Sequence, residues 1–140
     1  MSEGESEVVA EVTRCFTEYE SALVRGDVAA MTASFSDRAD LVRFGIADMQ
    51  RGPSELTAWR ERQPPLPPGR TLHDTVVSTF GDDAAVVTTL FSYPGRPKLG
   101  RQSQTWIRYG TTWRIVHAHV SEVDVDVDDS REGVSANAPR

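Results

Sequence analysis

From Leu72 onward the chain alternates β-branched and polar residues through four runs: Leu72–Phe80, Ala84–Tyr93, Arg101–Tyr109 and Trp113–Val123. Only turns or short loops separate them, namely Gly81-Asp82-Asp83, Pro94–Gly100 and Gly110-Thr111-Thr112. Parallel neighbours need a crossover of about a dozen residues or more, so these runs are expected to form an antiparallel meander. Upstream the period is helical. Val8, Val12, Cys15, Phe16, Tyr19, Ala22 and Leu23 recur at i, i+3, i+4, which predicts an amphipathic helix over about 7–25. Gly26 suits its C-terminal cap, and Asp27 can cap a second, shorter helix containing Val28, Met31 and Phe35.

A strand over Asp40–Gly45 comes next, followed by a loop. Gly52-Pro53-Ser54-Glu55 then opens a third helix running to about Arg62, anchored by Leu56 and Trp59. The segment Pro64-Pro65-Leu66-Pro67-Pro68-Gly69 lacks the amide hydrogens a helix or paired strand needs. It is too short to separate domains and is expected to be a surface connector. Helices segregated before an antiparallel sheet make an α+β domain, with the sheet curved into a cone around an internal cavity. Residues 1–6 are expected to be a flexible N-terminus, 7–123 one domain, and 124–140 an acidic, then Ser/Ala/Asn/Pro-rich, disordered tail.

Composition removes several classes of function. At 140 residues the chain can bury one core. A net charge of −6 opposes nucleic acid and anionic membranes, which call for basic surfaces. The single cysteine, Cys15, excludes an internal disulfide and a Cys-based zinc cluster, and its stripe position makes it a core thiol. Met1 to Glu7 is polar and acidic, unlike a signal peptide, and no run approaches the roughly 20 apolar residues of a membrane span. A cytoplasmic protein is expected.

Two residues stand out chemically. Arg43 is a lone cation in Leu41-Val42-Arg43-Phe44-Gly45, and Tyr19 is a phenol on the first helix's apolar stripe. Facing one cavity, they would form an anion-binding, proton-donating pair. Each also has a plainer reading. Alternation groups Arg43 with Leu41 and Gly45 against Val42, Phe44 and Ile46, which alone would turn it to solvent. Tyr19 could simply pack in the core.

Among further candidates, Gln102 and Gln104 share a face with Trp106 and could grip a polar ligand, or equally face solvent or a dimer partner. Arg101 and Arg60 are each a candidate second anion contact. His119 shares the face of Trp113, Ile115 and His117, where it could line the cavity. His117 and His119 could hold zinc, yet no third ligand lies near, so neither metal nor cofactor is expected. The acidic stretch Asp124–Asp129 lacks a calcium loop's glycine.

Several strings resemble a known family. They are Tyr19-Glu20-Ser21-Ala22-Leu23, Val42-Arg43-Phe44-Gly45, Arg70-Thr71-Leu72 with Thr75–Gly81, Gly100-Arg101-Gln102-Ser103-Gln104-Thr105-Trp106, and Trp113–Ser121. Together they resemble the AtzH and HpxZ family over roughly residues 8 to 121. The element order is similar to the nuclear transport factor 2-like, cystatin-like α+β fold shared with ketosteroid isomerases and SnoaL-type cyclases. The resemblance implies pathways for urea-like compounds such as oxalurate. In the AtzH branch it implies a decarboxylating amidohydrolase that converts dicarboxyurea to allophanate. It also implies a catalytic helix tyrosine and strand arginine, matched here by Tyr19 and Arg43, and pairing of sheet faces into a homodimer or higher homo-oligomer.

The chemistry suits that implication. A guanidinium binds a carboxylate through two parallel hydrogen bonds. An N-carboxylate loses carbon dioxide readily once its nitrogen is protonated, and a buried phenol can supply the proton. The leading expectation is thus a cofactor-free hydrolase or decarboxylase for a small carboxylated urea. The alternatives are a non-catalytic anion-binding or accessory subunit of an amidase pathway, and a ketosteroid-type isomerase. The isomerase would need a carboxylate where Arg43 stands.

Overall fold

The computed structural model describes residues 2–125, so the tail expectation falls, beyond Val125, outside the described residues. Helix α1 spans Glu3–Arg25, starting four residues earlier than the apolar period suggests. The cause is a capping box: Ser2 Oγ accepts from the Glu5 amide, and Glu5 Oε1 accepts from the Ser2 amide. Residues 3–6, expected to be flexible, are therefore helical. Gly26 ends α1 in the left-handed conformation (φ 70°), and the Asp27 carboxylate caps α2 (Val28–Ser34). Strands β1 (Val42–Phe44) and β2 (Met49–Arg51) precede α3 (Gly52–Glu61). Then come β3 (Thr71–Phe80), β4 (Ala84–Ser92), β5 (Lys98–Tyr109) and β6 (Thr112–Asp124).

The four long strands form the expected antiparallel meander, within one sheet of order β2-β1-β6-β5-β4-β3. Two features differ from expectation. β1 runs parallel to β6, which makes the six-stranded sheet mixed. Its crossover is the whole stretch from β1 to β6, a connection that strand-by-strand reading cannot see. Residues 49–51, expected to be loop, pair with β1 as a short hairpin closed by the Gly45 amide on the Asp48 carbonyl.

The helices cover one face of the sheet, and the core lies between. Val12, Phe16, Tyr19 and Ala22 of α1, Met31 of α2 and Leu56 of α3 meet Ala85, Val87, Trp106, Ile115 and Ala118. Cys15 packs against this core half-buried, and burial pushes its thiol pKa up. No helix among the described residues is long and apolar enough to cross a membrane.

Candidate active site

Arg43 lies between Ala118 of β6 and Gln50 of β2 in the sheet register, and Ala118 in turn lies opposite Gln104 of β5. That row belongs to the helix-covered face. The strand's alternation groups the residues correctly, but the buried side is the one holding the cation. Leu41 is buried and the Arg43 side chain is only 11% exposed, whereas Phe44 and Ile46 open outward. Pairing with β6 decides the sides, and it is invisible in a five-residue run.

Arg43 Nη1 donates to Asp48 Oδ1 and to Gln50 Oε1, each at 2.9 Å, and Gln50 Nε2 donates to the same Asp48 oxygen at 2.8 Å. The guanidinium carbon lies 4.2 Å from the centroid of the Trp59 ring. Among the described residues, Arg43 Nε and Nη2 donate to no protein acceptor, so one edge of the fork stays open. Burial lowers the Arg43 pKa from its ordinary value, and the like charge of Arg60 adds to this against the opposing influence of Tyr19 and Asp48.

Tyr19 is buried on α1, its ring edge-on to Phe35 at 5.8 Å. Its hydroxyl oxygen accepts from Arg60 Nη2 at 2.7 Å, and its own hydrogen finds no protein acceptor among the described residues. The cation directly on the phenol is thus Arg60 of α3; Arg43 shares the neighbourhood across Trp59.

Arg60 is 5% exposed and has no carboxylate within salt-bridge reach among the described residues. Nη1 points at the Met31 thioether sulfur at 3.2 Å, a weak acceptor, and Nε is buried without a partner. Three aromatic rings surround it, Phe35, Tyr19 and Trp59, at 5.1, 5.6 and 5.9 Å. Burying an unpaired ion costs several kcal/mol. Cation–π contacts return about 0.5–2 kcal/mol each, and a place in the last turn of α3 about 0.3–1 kcal/mol. The offset is partial, and a negative ligand would complete it.

The remaining candidates divide. Gln104 is buried in the Arg43 row; its Oε1 accepts from Trp106 Nε1 at 3.0 Å, leaving its amide nitrogen without a protein acceptor among the described residues. Gln102 is also buried, but both ends of its amide are engaged. It donates to Glu20 Oε2 at 2.9 Å and accepts from Arg70 Nη2 at 3.1 Å. His119 and Arg101 are exposed on the opposite face of the sheet, Arg101 donating to Ser121 Oγ at 3.1 Å. Arg101 faces out by plain alternation with Gln102, whereas for His119 the reason is a β-bulge in β6: Thr105 pairs with His117 while Trp106 pairs with Ile115. The extra residue, Val116, flips the alternation, so Trp113 and Ile115 point inward whereas His117 and His119 flank Phe44 outside. His117 Nδ1 lies 2.9 Å from the Val42 carbonyl oxygen.

Asp48, Gln50 and Glu20 escaped the sequence reading. Glu20 sits four residues after Phe16 and Arg60 four after Leu56, so the helical period itself aims both at the core.

The sequence of residues 2–126 matches the AtzH-like family model. A cystatin-like fold protein from Burkholderia xenovorans is 48% identical, covering 86% of this chain and 95% of its own, with a TM-score of 0.83. A protein of unknown function from Pectobacterium atrosepticum is 41% identical over 84% of this chain and 92% of its own, with a TM-score of 0.81. A ketosteroid isomerase-like protein from Erwinia carotovora shares the fold at 17% identity and a TM-score of 0.69, covering 83% of this chain and 96% of its own. No curated protein matches the sequence. On the family match and these neighbours, the chain belongs to the AtzH-like family and has a cystatin-like fold.

Proposed function

We propose that this protein is a cofactor-free hydrolase or decarboxylase acting on a small carboxylated urea of the dicarboxyurea or oxalurate type. One observation carries the reading: among the described residues, a buried phenol whose proton is unclaimed lies among two buried guanidiniums that have one carboxylate, Asp48, between them. A ligand drawn to this cluster meets the guanidiniums of Arg43 and Arg60 and the Tyr19 hydroxyl. Arg43 and Gln104 stand two strands apart, roughly 9–10 Å along the sheet, with Ala118 on the strand between them.

In a decarboxylation, Tyr19 gives its proton to the substrate nitrogen. The C–N bond to the carboxylate breaks, its electron pair stays on nitrogen, and carbon dioxide leaves. The Tyr19 phenolate, steadied by Arg60 Nη2, regains a proton from water. Binding without turnover is the competing reading, and sheet-face pairing through the exposed Phe44, Ile46 and Met49 is the form a homo-oligomer would take.

The test is turnover of purified protein on carboxylated ureas and oxalurate, with Tyr19→Phe alongside. The expected loss is about 10²–10⁴-fold in kcat, typical of a general acid. A variant as fast as the wild type would remove Tyr19 from the chemistry. Ligand binding with no turnover on any member of the panel would favour the binding-protein reading.

A further inference from the structure

We infer that Arg60 is the seat of the ligand's carboxylate, and that of the two substrate types proposed the site is built for the oxalurate one, a small monocarboxylate carrying an uncharged amide or ureido group, rather than for the doubly charged dicarboxyurea. This rests on reading the cluster as a carboxylate site. Arg43 already shares Nη1 between Asp48 and Gln50, so its charge is answered within the protein and its free Nε and Nη2 can meet a neutral carbonyl. Among the described residues Arg60 has no such answer. Its Nη1 has only the Met31 sulfur, its Nε nothing, and its Nη2 the oxygen of Tyr19.

Counting charges, Arg43 and Arg60 contribute two positive and Asp48 one negative, which leaves room for one anionic charge. A second carboxylate on the ligand would lie against Asp48. Met31 is unbranched and flexible, and its sulfur is readily exchanged for a carboxylate oxygen that binds guanidinium far better. The acid so seated lies beside the Tyr19 hydroxyl, placing the proton donor at the charged end of the ligand.

Calorimetry and thermal melting with oxamate, a monoanion bearing an amide, and malonate, a dianion, test this on wild type, Arg60→Met and Arg60→Lys. Oxamate is expected to bind more tightly than malonate. Arg60→Met should lose roughly a hundredfold in oxamate affinity, while the ligand-free variant melts no lower than wild type because an unpaired buried charge is gone. Arg60→Lys, which keeps the charge without the planar fork, should bind weakly. Oxamate affinity unchanged in either variant, or malonate preferred by the wild type, would overturn the assignment. Turnover plays no part in these readouts, so a failed enzymatic assay leaves this inference standing and a failed binding test leaves Tyr19 catalysis to be judged by rate.

Discussion

Arg70 and Arg43 are almost equally withdrawn from water, with side chains 6% and 11% exposed, yet the protein treats their charges in opposite ways. Arg70 Nε and Nη2 grasp the two Glu20 oxygens at 2.9 and 3.4 Å; Nη2 also reaches Gln102 and Nη1 the Tyr93 hydroxyl. Its guanidinium lies 4.2 Å from the Phe91 centroid. Burial alone would lower the Arg70 pKa, but the Glu20 carboxylate and the Tyr93 hydroxyl outweigh it and raise the value. At Arg43 burial wins and the value falls. Arg60 has no carboxylate within salt-bridge reach at all among the described residues. A cation whose hydrogen bonds are met inside the protein ties α1 to the sheet. A cation left short of partners is available to a ligand.

The strongest way to break this comparison is to strand Arg70. Glu20→Ala leaves a buried guanidinium without its counterion and should cost about 3–5 kcal/mol in denaturant unfolding. The contrast with Arg60→Met, expected to be neutral or stabilising, is the point. If both substitutions move stability by the same amount and sign, the two arginines are not differently compensated.

Glycines sharpen the comparison next. A methyl on Gly100 would collide with the ring of Phe91, which is buried and stacked on Arg70. With no room to yield, Gly100→Ala should cost about 1–3 kcal/mol by overpacking. A methyl on Gly45 would meet the side-chain ends of Asp48 and Arg43 instead, and Asp48 is a third exposed and can swing outward. Gly45→Ala should therefore cost less in denaturant unfolding than Gly100→Ala, since Arg43 keeps Gln50 when Asp48 moves. It should nevertheless alter oxamate affinity by moving the carboxylate off Arg43. A large unfolding penalty with unchanged affinity would make Gly45 part of the scaffold.

Which parts of this contrast were legible in the sequence follows from where each signal lives. The helical stripe and the four alternating runs are local patterns, so α1 and the meander could be read directly, and Tyr19 with them. The resemblance singled out Arg43, although alternation alone faced it outward. The site's other half depends on contacts across the fold: Tyr19 with Arg60 is a separation of 41 residues, and Glu20 with Gln102 one of 82. His119 went to the wrong face because one bulged residue, Val116, inverts every side chain beyond it. Nothing local in Trp113–Val123 marks that insertion.

A third arginine pair sets the lower end of the scale. Arg96 grips Glu122 with the same two-pronged geometry as Arg70 on Glu20, at 2.8 and 2.5 Å, but Arg96 is 47% exposed. The Arg96 hydrogen bonds hold the Glu122 pKa below its ordinary 4.5, against the opposing effect of burial. A carboxylate depressed in the folded state adds stability that is fully present above its unfolded value. That contribution is lost as pH falls through the lower native one. Glu122→Gln should thus lower the melting temperature only slightly at neutral pH, and the difference should shrink with added salt and disappear in acid. If Glu122→Gln proved as damaging as Glu20→Ala, geometry rather than burial would be what gives the Arg70 pair its hold.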